Sequence, residues 1–238
     1  MKMPDLSWPA GLLPEIAADQ QTLARHLAEF VARELSRAID RDGRASLAVP
    51  GGSTPVQFFR ALRTQALDWA RVEITLTDER WVPQSSEDSN ARLVNANLLQ
   101  DRAAAATFYP LKLEGASALE GQSAAERALD QLKWPLDVVI LGMGSDGHTA
   151  SLFPDAPELS RALDPGNSAR SIAMTPPSQS TERLSLTRSA LIQARSAVLL
   201  IHGTDKLATL EEAFARSDEQ VMPIRAFLKP GLRIFWSP

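Results

Sequence analysis

The sequence predicts an α/β protein built on a mostly parallel sheet with helices on both faces, and three observations predict it. Short apolar runs of strand length alternate with longer segments of helical periodicity along the chain, the pattern of repeated β-α-β units. Runs such as Val138-Val139-Ile140-Leu141 are apolar throughout rather than alternating, which suits strands buried on both faces. Glycine-rich or charged clusters follow four of the strands, at Gly51–Thr54, Asp78–Arg80, Gly142–His148 and His202–Lys206. In a parallel sheet such clusters lie beyond the carboxyl ends of the strands, where ligands bind.

In chain order, a first helix spans Asp19–Asp42, with Leu23, Leu27, Phe30, Val31 and Leu35 on one face and Gly43 as its stop. Ser46–Val49 is a strand, after which Pro55 opens a helix running towards Leu67. Val72–Thr77 is a strand that stops at Asp78, and the polar loop Gln84–Asn90 leads into a helix over Ala91–Leu99. Phe108–Leu111 is a short strand and Ser117–Leu132 a helix. The central strand, Val138–Leu141, runs into a glycine-rich turn with His148 at the start of a helix, an arrangement that leaves backbone N–H groups free for an anion. Asp155–Ser171 is a loop holding at most a short helix. Strands at Ser171–Thr175 and Arg183–Leu186, a helix over Thr187–Ala194 and a strand at Ala197–Ile201 follow. A helix from His202–Lys206 to Phe214 and a strand at Leu232–Trp236 close the chain. No internal repeat, low-complexity segment or linker divides it, so residues 1–238 are read as a single domain.

A chain of 238 residues, 44% hydrophobic, can bury a substantial core. The net charge of −4 argues against nucleic acid as a general partner but leaves room for a local basic pocket. Without cysteine there is no disulfide and no thiolate chemistry, which fits a reducing cytosol. The stretch MKMPDLSWPAGLLPE lacks the apolar core of a signal peptide, and no run reaches the roughly 18 apolar residues of a membrane span. The expectation is a soluble cytoplasmic protein with no membrane partner, a monomer in preference to an oligomer.

Gly51-Gly52-Ser53-Thr54 offers N–H groups and hydroxyls where a helix begins, a phosphate cradle or equally an ordinary tight turn. It is not a Walker loop, because the Gly-Lys-Ser/Thr ending is missing. Asp78 and Arg80 read either as an ion-paired surface turn or, at a strand end, as a place where a guanidinium fork takes a phosphate or carboxylate. His148, behind Asp146 and Gly147, is a candidate general base, whereas His26 lies within the first helix as a surface or half-buried residue. Two rival readings compete. Gly142–Gly147 fits the G-x-G-x-x-G of dinucleotide sites, but the acidic residue expected about 20 positions on falls in the loop Asp164–Asn167. Ser145, Glu182 and His202 follow the order of an α/β-hydrolase triad, but Met143 stands where the nucleophile elbow requires glycine.

Four blocks carry a family resemblance: Pro50–Pro55; Asp78–Pro83 with Ser89-Asn90; GMGSDGHTASLFP over Gly142–Pro154; and Gly203–Lys206. A weaker block joins Pro176-Pro177 to Arg183–Thr187, stretched by Ser178–Thr181. Together they resemble the glucosamine-6-phosphate isomerase/6-phosphogluconolactonase superfamily, and within it the lactonases. The resemblance implies a Rossmann-like fold and hydrolysis of 6-phospho-D-glucono-1,5-lactone to 6-phospho-D-gluconate, the second step of the oxidative pentose phosphate pathway. It also implies a phosphorylated sugar lactone as partner, with no cofactor and no metal. His148 is then the base that activates water, with Asp146 beside it. The implied substrate-binding residues are Gly51, Gly52, Ser53, Thr54, Asp78, Arg80, Gly144, Arg183 and Lys206, the three basic ones supplying positive charge. The deaminases of the superfamily end the third block in Asn-Glu-Pro. Here it ends Leu152-Phe153-Pro154, and Phe153 transfers no proton, which favours a lactonase. The alternatives are a glucosamine-6-phosphate deaminase/isomerase-like enzyme and a sugar-phosphate-binding protein without turnover.

Overall fold

The computed structural model describes residues 8–238, so the stretch read for a leader lies partly outside the described residues, at 1–7. A seven-stranded sheet forms the centre. Its strands are β1 (Leu13–Ile16), β2 (Ala45–Val49), β3 (Val72–Leu76), β5 (Thr107–Tyr109), β6 (Val138–Leu141), β9 (Ser196–His202) and β10 (Arg233–Ser237). Every neighbouring pair is parallel, in the order β1-β10-β9-β6-β2-β3-β5. All residues of β2 and β6 are buried, and since successive side chains point to opposite faces, both faces are covered. The sheet is thus wholly parallel. β1 was not foreseen, because Leu13-Pro14-Glu15-Ile16 lacks an apolar run; proline is tolerated there because β1 is an edge strand paired only with β10.

Among the described residues, seven α-helices connect the strands: α1 (Gln20–Asp42), α2 (Val56–Leu62), α3 (Asn90–Asn97), α4 (Ala118–Leu129), α5 (Leu159–Leu163), α6 (Arg188–Ile192) and α7 (Thr204–Ala215). Asp19 caps α1 through the Thr22 N–H at 2.7 Å, and Gly43 ends it in the left-handed region. The five apolar residues that predicted α1 are all buried. α2 stops at Leu62, short of the expected Leu67, because Trp69 is drawn into the core and its indole N–H donates to the Gln65 carbonyl at 3.2 Å. Tertiary packing here overrides helix propensity.

A second sheet was not foreseen. Instead of breaking into a loop, Asp78–Arg80 forms β4, which pairs antiparallel with β8 (Arg183–Leu186), itself paired with β7 (Ser171–Met174). The open edge of β7 is covered by α4. Gln122 bonds the Ser171 carbonyl and the Ala173 N–H, and Glu126 takes the N–H groups of Arg170 and Ser171.

The strand order locates the crevice. From β2 the chain steps outward through β3 to β5, then returns to β6 and steps the other way through β9 to β10. The order reverses between β2 and β6, and beyond such a reversal the loops diverge and leave an opening. At the opposite end of β6, Asp137 is buried and receives Lys133 Nζ at 2.7 Å, Arg41 at 2.9 Å and the Ser46 N–H at 2.8 Å. Asp137→Ala leaves the Ser46 N–H without its acceptor and the buried Lys133 ammonium with Asp42 alone, so a loss of about 1–3 kcal/mol in urea unfolding is expected. Asp42→Ala, on the cluster's more exposed side, should lose less.

Candidate active site

The crevice is a pocket of about 230 Å³ lined by the loops after β2 and β6, the end of β9, the first turn of α7, and residues of β4 and β8. All four strand-end clusters contribute to it. Gly51, Gly52, Thr54, Asp78, Arg80, Gly144, His148, Arg183 and Lys206 line it. Two expected residues do not. Ser53 is exposed and outside the lining, its carbonyl taken by the Val56 N–H as α2 opens. Asp146 lies behind His148 rather than on the pocket wall.

The loop after β6 differs from expectation. No helix follows His148; Thr149 and Leu152 form a bridge, and α5 begins only at Leu159. Three of the loop's N–H groups are turned inward rather than towards an anion. Gly144 N donates to the His148 carbonyl at 2.9 Å, Gly147 N to the Gly144 carbonyl, and His148 N to Asp146 Oδ1 at 3.1 Å. The loop is therefore a holder for the imidazole. His148 Nδ1 lies 2.6 Å from Asp146 Oδ1, and the ring stacks on Phe153 with centroids 4.0 Å apart. A Cβ at Gly144 would collide with the imidazole, which is why that position takes glycine. Burial pushes the Asp146 carboxyl up, but its hydrogen bonds to His148 and the charge there outweigh this and leave it below the usual carboxylate range. An ionised Asp146 requires the proton on Nδ1 and leaves the Nε2 lone pair as the acceptor.

The opposite wall is cationic. Arg80 and Arg183 are cross-strand partners in the β4–β8 register, and like charges so placed repel. Arg80 Nη1 donates to the Asp88 carbonyl at 2.7 Å, and Arg183 Nη2 to Gln179 at 2.7 Å. The Nε of each is buried without a partner among the described residues. Burial lowers the Arg183 pKa, and the Asp78 carboxylate at 3.9 Å works the other way. Asp78 itself is fixed by Ser151 Oγ at 2.6 Å. Lys206, half-buried, makes no ion pair among the described residues. The pocket thus gathers three cations against the single carboxylate of Asp78, in a protein that is acidic overall.

Sequence reasoning missed several residues. Asn90 donates to the Asp78 carbonyl at 2.8 Å and packs so closely on Gly51 that a Cβ there would clash. Glu79 is buried and takes the N–H groups of Arg80, Asn90 and Ala91, each at 2.8 Å, tying the start of α3 to β4. Their signal was the block Asp78–Arg80 with Ser89-Asn90, which carries no chemistry until β4 and α3 meet. His202, at the head of the fourth strand-end cluster read from the sequence, lines the pocket as expected there and pairs with Ser237 Oγ at 3.1 Å. The rival triad is not assembled: Ser145 is exposed and outside the pocket, and Glu182 caps α4 through the Ala118 N–H.

A parallel sheet with a pocket lined by three cations at its reversal of strand order, and an oriented imidazole beside it, defines the class: an α/β protein whose pocket suits a small negatively charged ligand. Residues 18–236 match the family described as glucosamine-6-phosphate isomerases/6-phosphogluconolactonase, and the chain belongs to that family. It is 45% identical to a 6-phosphogluconolactonase of Pseudomonas aeruginosa, with all of both chains covered. It is 44% identical to one of Pseudomonas putida, covering 100% of this chain and 98% of the relative. A crystal structure of a 6-phosphogluconolactonase from Shewanella baltica superposes with a TM-score of 0.94 at 39% identity, covering 98% of this chain and 100% of that one.

Burial lowers the pKa of His202 from 6.5, and a hydrogen bond with the Thr54 backbone only partly opposes it. A histidine whose folded pKa lies below its unfolded value binds fewer protons when folded. Its contribution is present above about pH 6.5 and lost as pH falls through the lowered value. Calorimetric melting midpoints should therefore fall on acidification below about pH 6.5, and His202→Gln should flatten that slope.

Proposed function

We propose that the chain is a lactonase that hydrolyses 6-phospho-D-glucono-1,5-lactone to 6-phospho-D-gluconate by a water activated at His148. The observation that carries this reading is the Asp146-oriented imidazole set in one pocket with the Arg80–Arg183 pair. His148 Nε2 takes a proton from water as the water oxygen bonds to the lactone carbonyl carbon. The tetrahedral intermediate then breaks its bond to the ring oxygen, which receives that proton as the leaving alcohol. A lactone is an activated ester, so a positioned base suffices and no covalent intermediate is required. Asp146 acts through His148, holding its tautomer and stabilising the imidazolium. The phosphate is held by the Gly51–Thr54 loop and Lys206, with Arg80 and Arg183 adding charge. Lys206 sits in the first turn of α7, where the helix dipole disfavours a cation unless an anion is near.

Residues 1–238 work as one lactonase domain in this reading. It is further read as a cytoplasmic monomer: the chain has no cysteine, no described helix is long and apolar enough to cross a membrane, and the described exposed large apolar residues are Leu13, Leu113, Leu119 and Val221.

The test is hydrolysis of the phosphorylated lactone measured above its spontaneous rate. His148→Asn should lower kcat by about 10²–10⁴-fold with little change in KM; full activity in that variant removes His148 from the mechanism. Lys206→Ala should raise KM for the phosphorylated lactone several-fold and barely affect the unphosphorylated one. Equal effects on both would move the phosphate contact to the arginines.

A further inference from the structure

We propose that Phe153 is a positioning residue: its ring is the plate against which the His148 imidazole and the Arg183 guanidinium are both set, fixing the base relative to an anion-binding cation. The proposal rests on the reading of His148 as the base. Phe153 is buried. Its ring stacks on the imidazole with centroids 4.0 Å apart and planes 27° apart, and the Arg183 guanidinium carbon lies 5.1 Å from its centroid.

Neither partner is fully fixed by its hydrogen bonds. Asp146 holds the imidazole at one edge, through Nδ1, and a contact at one edge leaves the ring free to tilt about it. A flat face at stacking distance removes that freedom. Arg183 has one close side-chain bond, to Gln179, a longer approach to Asp78, and an unpartnered Nε; the aromatic face supports the rest of the fork.

The segment leading into Phe153 is tied to the same site by two side-chain hydroxyls. Thr149 Oγ1 donates to the Gly142 carbonyl at 2.8 Å, and Ser151 Oγ to Asp78 at 2.6 Å. The plate therefore takes its position from the loop that carries the base and from the carboxylate that faces Arg183. When His148 takes the proton from water, the ring faces an imidazolium, which an aromatic face attracts more than a neutral imidazole. A leucine would fill the same apolar space without a flat face.

The experiment is a double-mutant cycle in the lactone assay, with melting temperature measured for each variant. Phe153→Leu should lower kcat about tenfold or more, since small misplacements of a reacting group cost that much, and should raise KM through Arg183. Phe153→Tyr keeps the plate and should keep most of both parameters. In a His148→Asn background, Phe153→Leu should cost no further kcat, because no base remains to position. An equal kcat loss in both backgrounds, an unchanged kcat in the single variant, or a Phe153→Tyr as impaired as Phe153→Leu would overturn the proposal. Phe153→Met, a flexible filler, runs in parallel; if Leu and Met both fail to fold while Tyr folds, Phe153 is a core residue and the proposal falls. Full kcat in His148→Asn alone would instead overturn the general-base reading.

Discussion

Thr77 is the residue at which the two sheets meet. Its N–H donates to the Val49 carbonyl at 2.9 Å, continuing the β2–β3 ladder, and its carbonyl accepts the Leu186 N–H at 2.8 Å, joining the small sheet. One residue later the chain has left the main sheet and runs beside β8. Because that pairing is in register, Asp78 is set opposite Ser185 and Arg80 opposite Arg183. A slip of one residue would turn these side chains to the other face. The cationic wall, the carboxylate of Asp78 and the anchoring of Ser151 upon it all follow from the two hydrogen bonds of Thr77.

That wall is maintained against repulsion. Two guanidinium groups side by side, one of them largely buried, would be a liability in a protein that only had to be stable. One carbonyl, a carboxamide and an aromatic face hold them, rather than close carboxylates, so their charge is not neutralised within the fold. The contrast with the far end of the sheet is instructive. Lys133 and Asp137 form close contacts and satisfy each other. Charges paired internally serve the fold; charges left facing a pocket serve a ligand.

Much of this was legible in the sequence, for identifiable reasons. The parallel sheet could be read because β2 and β6 are buried on both faces and so are apolar without alternation. Every strand-end cluster reached the pocket because the reversal of strand order follows from chain connectivity. β4 could not be read: three polar residues show no periodicity, and they form a strand only because β8, about a hundred positions on, offers a ladder. Asn90 and Glu79 were hidden for the same reason, their roles depending on contacts between separate elements. Arg183 was traced through a stretched block, and the antiparallel register accounts for its place better than its spacing in the chain does.

The turn after β6 shows why a motif has to be read by where its backbone donors go. The spacing G-x-G-x-x-G is shared with dinucleotide sites, where the glycines let N–H groups and a helix N-terminus face a pyrophosphate. In this turn the same spacing closes the loop on itself. Gly144 N–H and Gly147 N–H are satisfied within the loop, His148 N–H by Asp146, and no helix follows. With these three donors turned inward, Gly144 allows an imidazole to lie against the backbone. In the proposed reading, binding and chemistry fall on the two sides of the switch point. The loop after β2 and the arginine wall line one side of the pocket, and the loop after β6 presents one oriented nitrogen on the other. A base gains from rigidity, because its proton transfer depends on a fixed distance and angle. An anion site tolerates softer geometry, because Coulomb attraction falls slowly with distance.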